Sequence, residues 1–115
     1  MTTPQDIVAY KVMILKGTEL ISSYRQFGYV LGERYHSKLD NSFIGYIDEG
    51  IHTFVRIEDA EREAKHWNRT SNEYKEIVVE CTIPAGSEYY VGEYYSDLGC
   101  VASMASDQII IVKKK

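Results

Sequence analysis

G-Y-I-D-E-G-I-H-T-F-V-R-I-E-D-A-E-R-E-A-K-H-W-N-R, residues 45–69, is where a strand pattern runs directly into a helix pattern, and it sets the expected architecture of the chain. Ile51, Thr53 and Val55 alternate with His52, Phe54 and Arg56, the period of a strand with two distinct faces. From Ile57 the period changes, and Ile57, Ala60, Ala64 and Trp67 fall on one helical face. Glu58 with Arg62, and Glu61 with Lys65, are acid-first i,i+4 pairs. Glu58, Asp59 and Glu61 crowd the first turns, where the helix dipole favours negative charge, and Asn68 closes the run.

Working outward, the flanks read almost entirely as strands. Ile7–Lys16 is continuously apolar enough to be a central strand, and Lys16-Gly17-Thr18 turns it into a returning Glu19–Tyr24. Gly28 and Gly32 interrupt the stretch 27–37, which suggests bulges or a close backbone approach. Lys38–Ser42 reads as loop and Phe43–Ile47 as strand. Beyond the helix, Tyr74–Ile83 alternates cleanly: Ile77, Val79, Cys81 and Ile83 face one way, Val78, Glu80 and Thr82 the other. Pro84–Ser87 is turn chemistry, and Glu88–Tyr94, Cys100–Ala105 and Gln108–Lys113 are three more short strands before a solvated Lys113–Lys115 end. The expected fold is α+β: one domain over residues 1–115, with a single curved antiparallel sheet of six to eight short strands and one main helix packed on a face. Short strands leave edges, and pairing edge to edge predicts a homo-oligomer.

Bulk properties narrow the function classes. A net charge of −4 and a pI near 5.3 argue against nucleic acid as a ligand, because such binders carry a basic stripe. The N-terminal residues lack the basic and apolar regions of a secretion signal, and no apolar run is long enough to span a bilayer, so the expected location is cytoplasmic with no membrane partner. Cys81 and Cys100 fit no metal or redox spacing and read as reduced thiols. His36, His52 and His66 do not pair at ligand spacing, no phosphate-cradling glycine motif is present, and Asp48-Glu49 reads as a turn. No metal, cofactor or catalytic residue is therefore assigned, and the expectation is a protein that is not an enzyme.

What remains is a binding pattern. Arg34, Tyr35 and His36 lie in one strand-like stretch and His52, Phe54 and Arg56 in another. Cations beside aromatic rings on a sheet can hold a phosphate or ribose and a flat base together. In this reading Arg34, His36, His52 and Arg56 take the anion while Tyr35 and Phe54 stack. The bland alternative is that these residues form the wetted side of a sheet. Ten tyrosines against three phenylalanines fit either reading.

F-G-Y-V-L-G-E-R-Y-H-S (residues 27–37) and D-E-G-I-H-T-F (48–54) resemble small phage and prophage domains with an F-x-Y-x-x-G-x-x-Y element and a G-[FI]-H-x-F element. I-P-A-G-S-E-Y-Y-V-G (83–92) with A-S-D-Q-I-I-I (105–111) looks like a strand-turn-strand frame of phage-encoded domains, with a fainter likeness to ADP-ribosyltransferase C-terminal halves. Ala105-Ser106-Asp107-Gln108 stands where such a transferase would carry a catalytic Glu preceded by an acid or Gln. The resemblance implies an anti-defence protein that sequesters a nucleotide-type second messenger, as phage proteins counteracting the Thoeris system do with cyclic ADP-ribose isomers. Two alternatives stay open: an acidic protein-binding inhibitor of a host immune nuclease, in the manner of anti-CRISPR proteins, and an ADP-ribosyltransferase-like enzyme.

Overall fold

A computed structural model describes residues 2–16, 19–22, 28–29, 31–36, 51–70, 75–96 and 99–115. The strands are β1 (Ile7–Lys16), β2 (Glu19–Ser22), β3 (Gly28–Tyr29), β4 (Arg34–His36), β5 (Ile51–Phe54), β6 (Lys75–Ile83), β7 (Tyr89–Ser96), β8 (Gly99–Ser106) and β9 (Gln108–Lys114), with one helix, α1 (Ile57–Thr70), between β5 and β6. Every pairing among the described strands is antiparallel, and the order runs β4-β9-β6-β1-β5-β8-β7, with β2 on β1 and β3 on β2. This is the expected α+β architecture. No helix of the described residues is long and apolar enough to cross a membrane. The strand read over Phe43–Ile47 and the loop over Lys38–Ser42 lie outside the described residues.

The sheet's curvature follows from one residue. β8 ends at Ser106 and β9 begins at Gln108, yet β6, β1 and β5 stand between these two strands in the hydrogen-bonded order. Two Cα steps reach about 7.6 Å at most, whereas four strand spacings in a flat sheet need roughly 19 Å. The sheet therefore closes on itself, with β8 and β9 as one long strand bent at Asp107. The Asp107 N–H donates to the Glu88 carbonyl at 3.1 Å, and the Glu88 N–H donates to the Asp107 carboxylate at 3.0 Å.

Two faces result. Ala9, Met13, Val79, Cys81, Ile83, Ile109 and Ile111 are fully buried on the inner face, with Ile51 and Met104 beside them. The alternation expected along β6 is observed: Val79, Cys81 and Ile83 point inward, and Val78 packs outward against α1. The outer cluster joins Val12 and Val78 to Ala60 and Ala64, with Tyr10, Phe54 and Ile57 packed against it. Two alanines at the contact let the helix approach the sheet closely.

Three details differ from expectation. Trp67 is 41% exposed, while Glu63 is only 6% exposed and accepts the Trp67 Nε1–H at 2.9 Å. The buried stripe of α1 thus runs through Glu63, because the ring is too large to fit under a helix seated on alanines. Arg62 bridges to Asp59 at 2.6 Å, one turn back at i,i+3, in place of the i,i+4 pairing with Glu58. The final lysines are a strand as well as a solvated end. β9 runs through Lys114, the Lys115 N–H donates to the Val78 carbonyl at 2.8 Å, and the Lys115 ammonium meets Glu80 at 3.2 Å.

Candidate functional site

The six residues expected to bind a ligand fall into two groups. β4 pairs with β9, placing Tyr35 opposite Ile109 on the inner face, where it packs on the core. By alternation Arg34 and His36 point to the other face, both exposed, and Arg34 Nη1 donates to Gln108 Oε1 at 3.4 Å. Tyr35 therefore parts from its two neighbours because a strand turns adjacent side chains to opposite sides.

On β5, His52 is exposed and Phe54 half-buried, and both point outward. Phe54 sits opposite Tyr10 on one side and Ser103 on the other, and its ring belongs to the packing under α1. Arg56 is exposed at the helix entrance, where its carbonyl accepts the Ala60 N–H at 3.3 Å. β4 and β5 follow one another along the same side of the bent β8–β9 strand, His36 opposite Gln108 and Ile51 opposite Ser106, with the corner at Asp107 between them. His52, Phe54 and Arg56 stay together as a group, and so do Arg34 and His36. None of the six lines the groove described below.

That groove lies where α1 meets the start of β6 and the end of β9, with a volume of about 520 Å³. Ala64 and Val78 give it apolar lining, Lys65, Lys75 and Lys115 contribute basic residues to its lining, and Glu61, Asn68, Glu76 and Ile77 complete it. Asn68 fixes its geometry: Nδ2 donates to the Glu76 carbonyl at 2.9 Å, and the Glu76 N–H donates to Oδ1 at 2.7 Å. A side-chain amide thus pairs with the strand as a backbone amide would, clamping α1 to β6. Burial raises the Glu76 carboxyl above the ordinary glutamate pKa, and nearby Glu63 raises it further. One Glu76 oxygen is buried without a hydrogen-bond partner. Reading the sequence missed this groove because Lys65 and Lys75 look like solvated surface residues until the fold brings them together.

The inner face holds a second polar group. Lys11 shares the face of Ala9 and Met13 by alternation, and its ammonium donates to the His52 carbonyl at 2.9 Å. Burial lowers the Lys11 pKa, with Cys81 opposing that shift. The Cys81 thiol is pushed up to about 12, chiefly by burial, which leaves little nucleophilic thiolate at neutral pH. Among the described residues, no three His, Cys, Asp or Glu side chains are placed to hold a metal ion.

No protein-family model matches the chain, and no curated protein or solved structure is significantly similar to it.

Proposed function

We propose that the chain is a non-catalytic binding protein that sequesters a small phosphorylated ligand of nucleotide type in the groove between α1 and β6. One observation carries this reading: Lys65, Lys75 and Lys115 line a groove of about 520 Å³ together with Ala64 and Val78. Ammonium groups act as point charges for phosphate, and an apolar floor takes the face of a base. The Lys115 ammonium is shared with Glu80, so Lys65 and Lys75 are the principal cations. The resemblance to phage anti-defence domains makes cyclic ADP-ribose isomers and cyclic oligonucleotides the first probes. It also gives the uptake its purpose, the withdrawal of an immune signal inside an infected bacterium.

The test mixes purified protein with each probe, follows the melting temperature, and measures free ligand after ultrafiltration. The expected outcome is a raised melting temperature, depleted ligand, and intact ligand released on denaturation. A Lys65→Glu, Lys75→Glu double variant should bind at least about tenfold more weakly, since both side chains are exposed and the fold does not depend on them. No shift and no depletion with any probe would end the proposal, and ligand returned chemically altered would make the protein an enzyme. A second reading rests on the exposed acids Glu58 and Glu61 along α1, which suit a basic groove on a host immune nuclease. It is favoured if small ligands do nothing while the immobilised protein retains such a nuclease and blocks its activity.

A further inference from the structure

Glu76 lines the α1–β6 groove from the strand, in company with Lys65, Lys75 and Lys115. Alternation along β6 turns it to the face of Val78, which packs under α1. Asn68 holds the Glu76 backbone at both its N–H and its carbonyl, which fixes where the carboxyl is rooted. One carboxyl oxygen is buried without a hydrogen-bond partner. Glu76 takes no part in the ion pairs of Arg62 with Asp59 or Lys115 with Glu80. The charges around it are Glu61, Glu63 and Lys65 from α1, Lys75 and Glu80 on its own strand, and Lys115 from β9. β1 sets Ile14 opposite it.

A groove that offers lysines to an anion therefore keeps an acid in its own lining. Ionised, Glu76 opposes a phosphate in the same groove; neutral, it leaves the lysines to act alone. Burial, and then Glu63, already favour the neutral form. A bound phosphate favours it further, because the two effects are one coupling seen from either side.

We propose that the groove takes up its phosphorylated ligand together with a proton, which Glu76 receives, so that the site fills on acidification and empties as pH rises. The linkage rests on the groove being the anion site argued above. Its sign follows from proton counting. Where Glu76 is ionised in the free protein and protonated in the complex, affinity falls by up to about tenfold for each unit rise in pH. Affinity is highest where the free protein already holds the proton, and it levels off again where the complex too has lost it.

Isothermal titration calorimetry of the full chain with cyclic di-AMP and with cyclic ADP-ribose tests this between pH ~5.5 and ~8, in pairs of buffers that differ in ionisation enthalpy. Neither probe has the second ionisation, at about 6, of a terminal phosphate, so the phosphates hold their charge across the interval. The expected result is at least about tenfold weaker binding at the higher pH, with proton uptake on binding in between. Glu76→Gln keeps the shape and cannot ionise, so it should bind throughout as the parent does at low pH. His66→Gln, the control for the imidazole on α1, should keep the parent's pH dependence. Circular dichroism checks the fold of each variant, and proton uptake is read on the parent alone. Binding in which parent and Glu76→Gln respond to pH alike, or without proton uptake, overturns the role of Glu76 and leaves the groove reading standing. Loss of the pH dependence in His66→Gln gives the proton to the imidazole and overturns it as well. If neither probe binds at either pH, the groove is not the anion site and the linked proton goes with it.

Discussion

Glu63 and Glu76 bring two carboxyl groups into the seam between α1 and β6, and each plays a different part. Glu63 is satisfied by the Trp67 indole, whereas Glu76 keeps a buried oxygen without a partner and a pKa raised first by burial and then by Glu63. A carboxyl whose folded pKa exceeds its unfolded value holds its proton more tightly in the folded state. Its contribution to stability is therefore complete below the ordinary glutamate value, about 4.3, and is lost as pH rises through the raised value. Glu76→Gln is expected to raise the melting temperature at pH ~7 and to leave it unchanged below pH ~4. Calorimetry across that interval checks both the sign and the window. Neither glutamate stood out in the sequence. Glu63 and Glu76 are thirteen residues apart with α1's end between them, and nothing local marks either as buried. Arg34, Tyr35 and His36 show the converse. Their types were readable as binding chemistry, but strand alternation puts the tyrosine on the face opposite its neighbours.

At the scale of elements, the Asn68 clamp explains how an exposed polar residue holds a helix to a strand. Its amide supplies both a donor and an acceptor to Glu76, in the place a neighbouring strand would take. Asn68→Ala is expected to lower unfolding stability by about 1–2 kcal/mol, with both Glu76 backbone groups returned to water. Urea denaturation measures the loss. The elements themselves were well marked in the sequence. The switch from period 2 to period 3.6 at Ile57 located the start of α1, and Ile77, Val79, Cys81 and Ile83 announced the inner face of β6. The buried stripe of α1 was less legible. Its alanines allow so close an approach that the tryptophan is excluded and the aliphatic stem of a glutamate takes its place.

For the molecule as a whole, closure of the sheet depends on the corner at Asp107. Curvature was expectable from many short strands, but closure was not. It follows from which partners lie on either side of a single long strand, and pairing partners cannot be read from periodicity. Asp107→Ala removes the acceptor for the Glu88 N–H and should cost about 1–3 kcal/mol. Faster hydrogen exchange at Glu88 than in the parent protein, together with a lowered melting temperature, checks this. A larger share of the loss should be recovered by Asp107→Asn, whose side-chain oxygen still accepts.

The same ring bears on how the polypeptide is made. Ile7 meets Ile83, and β6 in turn pairs with β9, so β1 has β2 as an early neighbour over Met13–Lys16 but completes its pairing only once β6 and β9 have been made. Until then a nascent chain holds the first half of β1 without the β6 partner it pairs with, and long-range pairing of this kind is slow. A nascent chain that does not yet carry β9 would display β1 to chaperones as an incompletely paired segment, and the emergence of β9 would be the event that lets the ring shut.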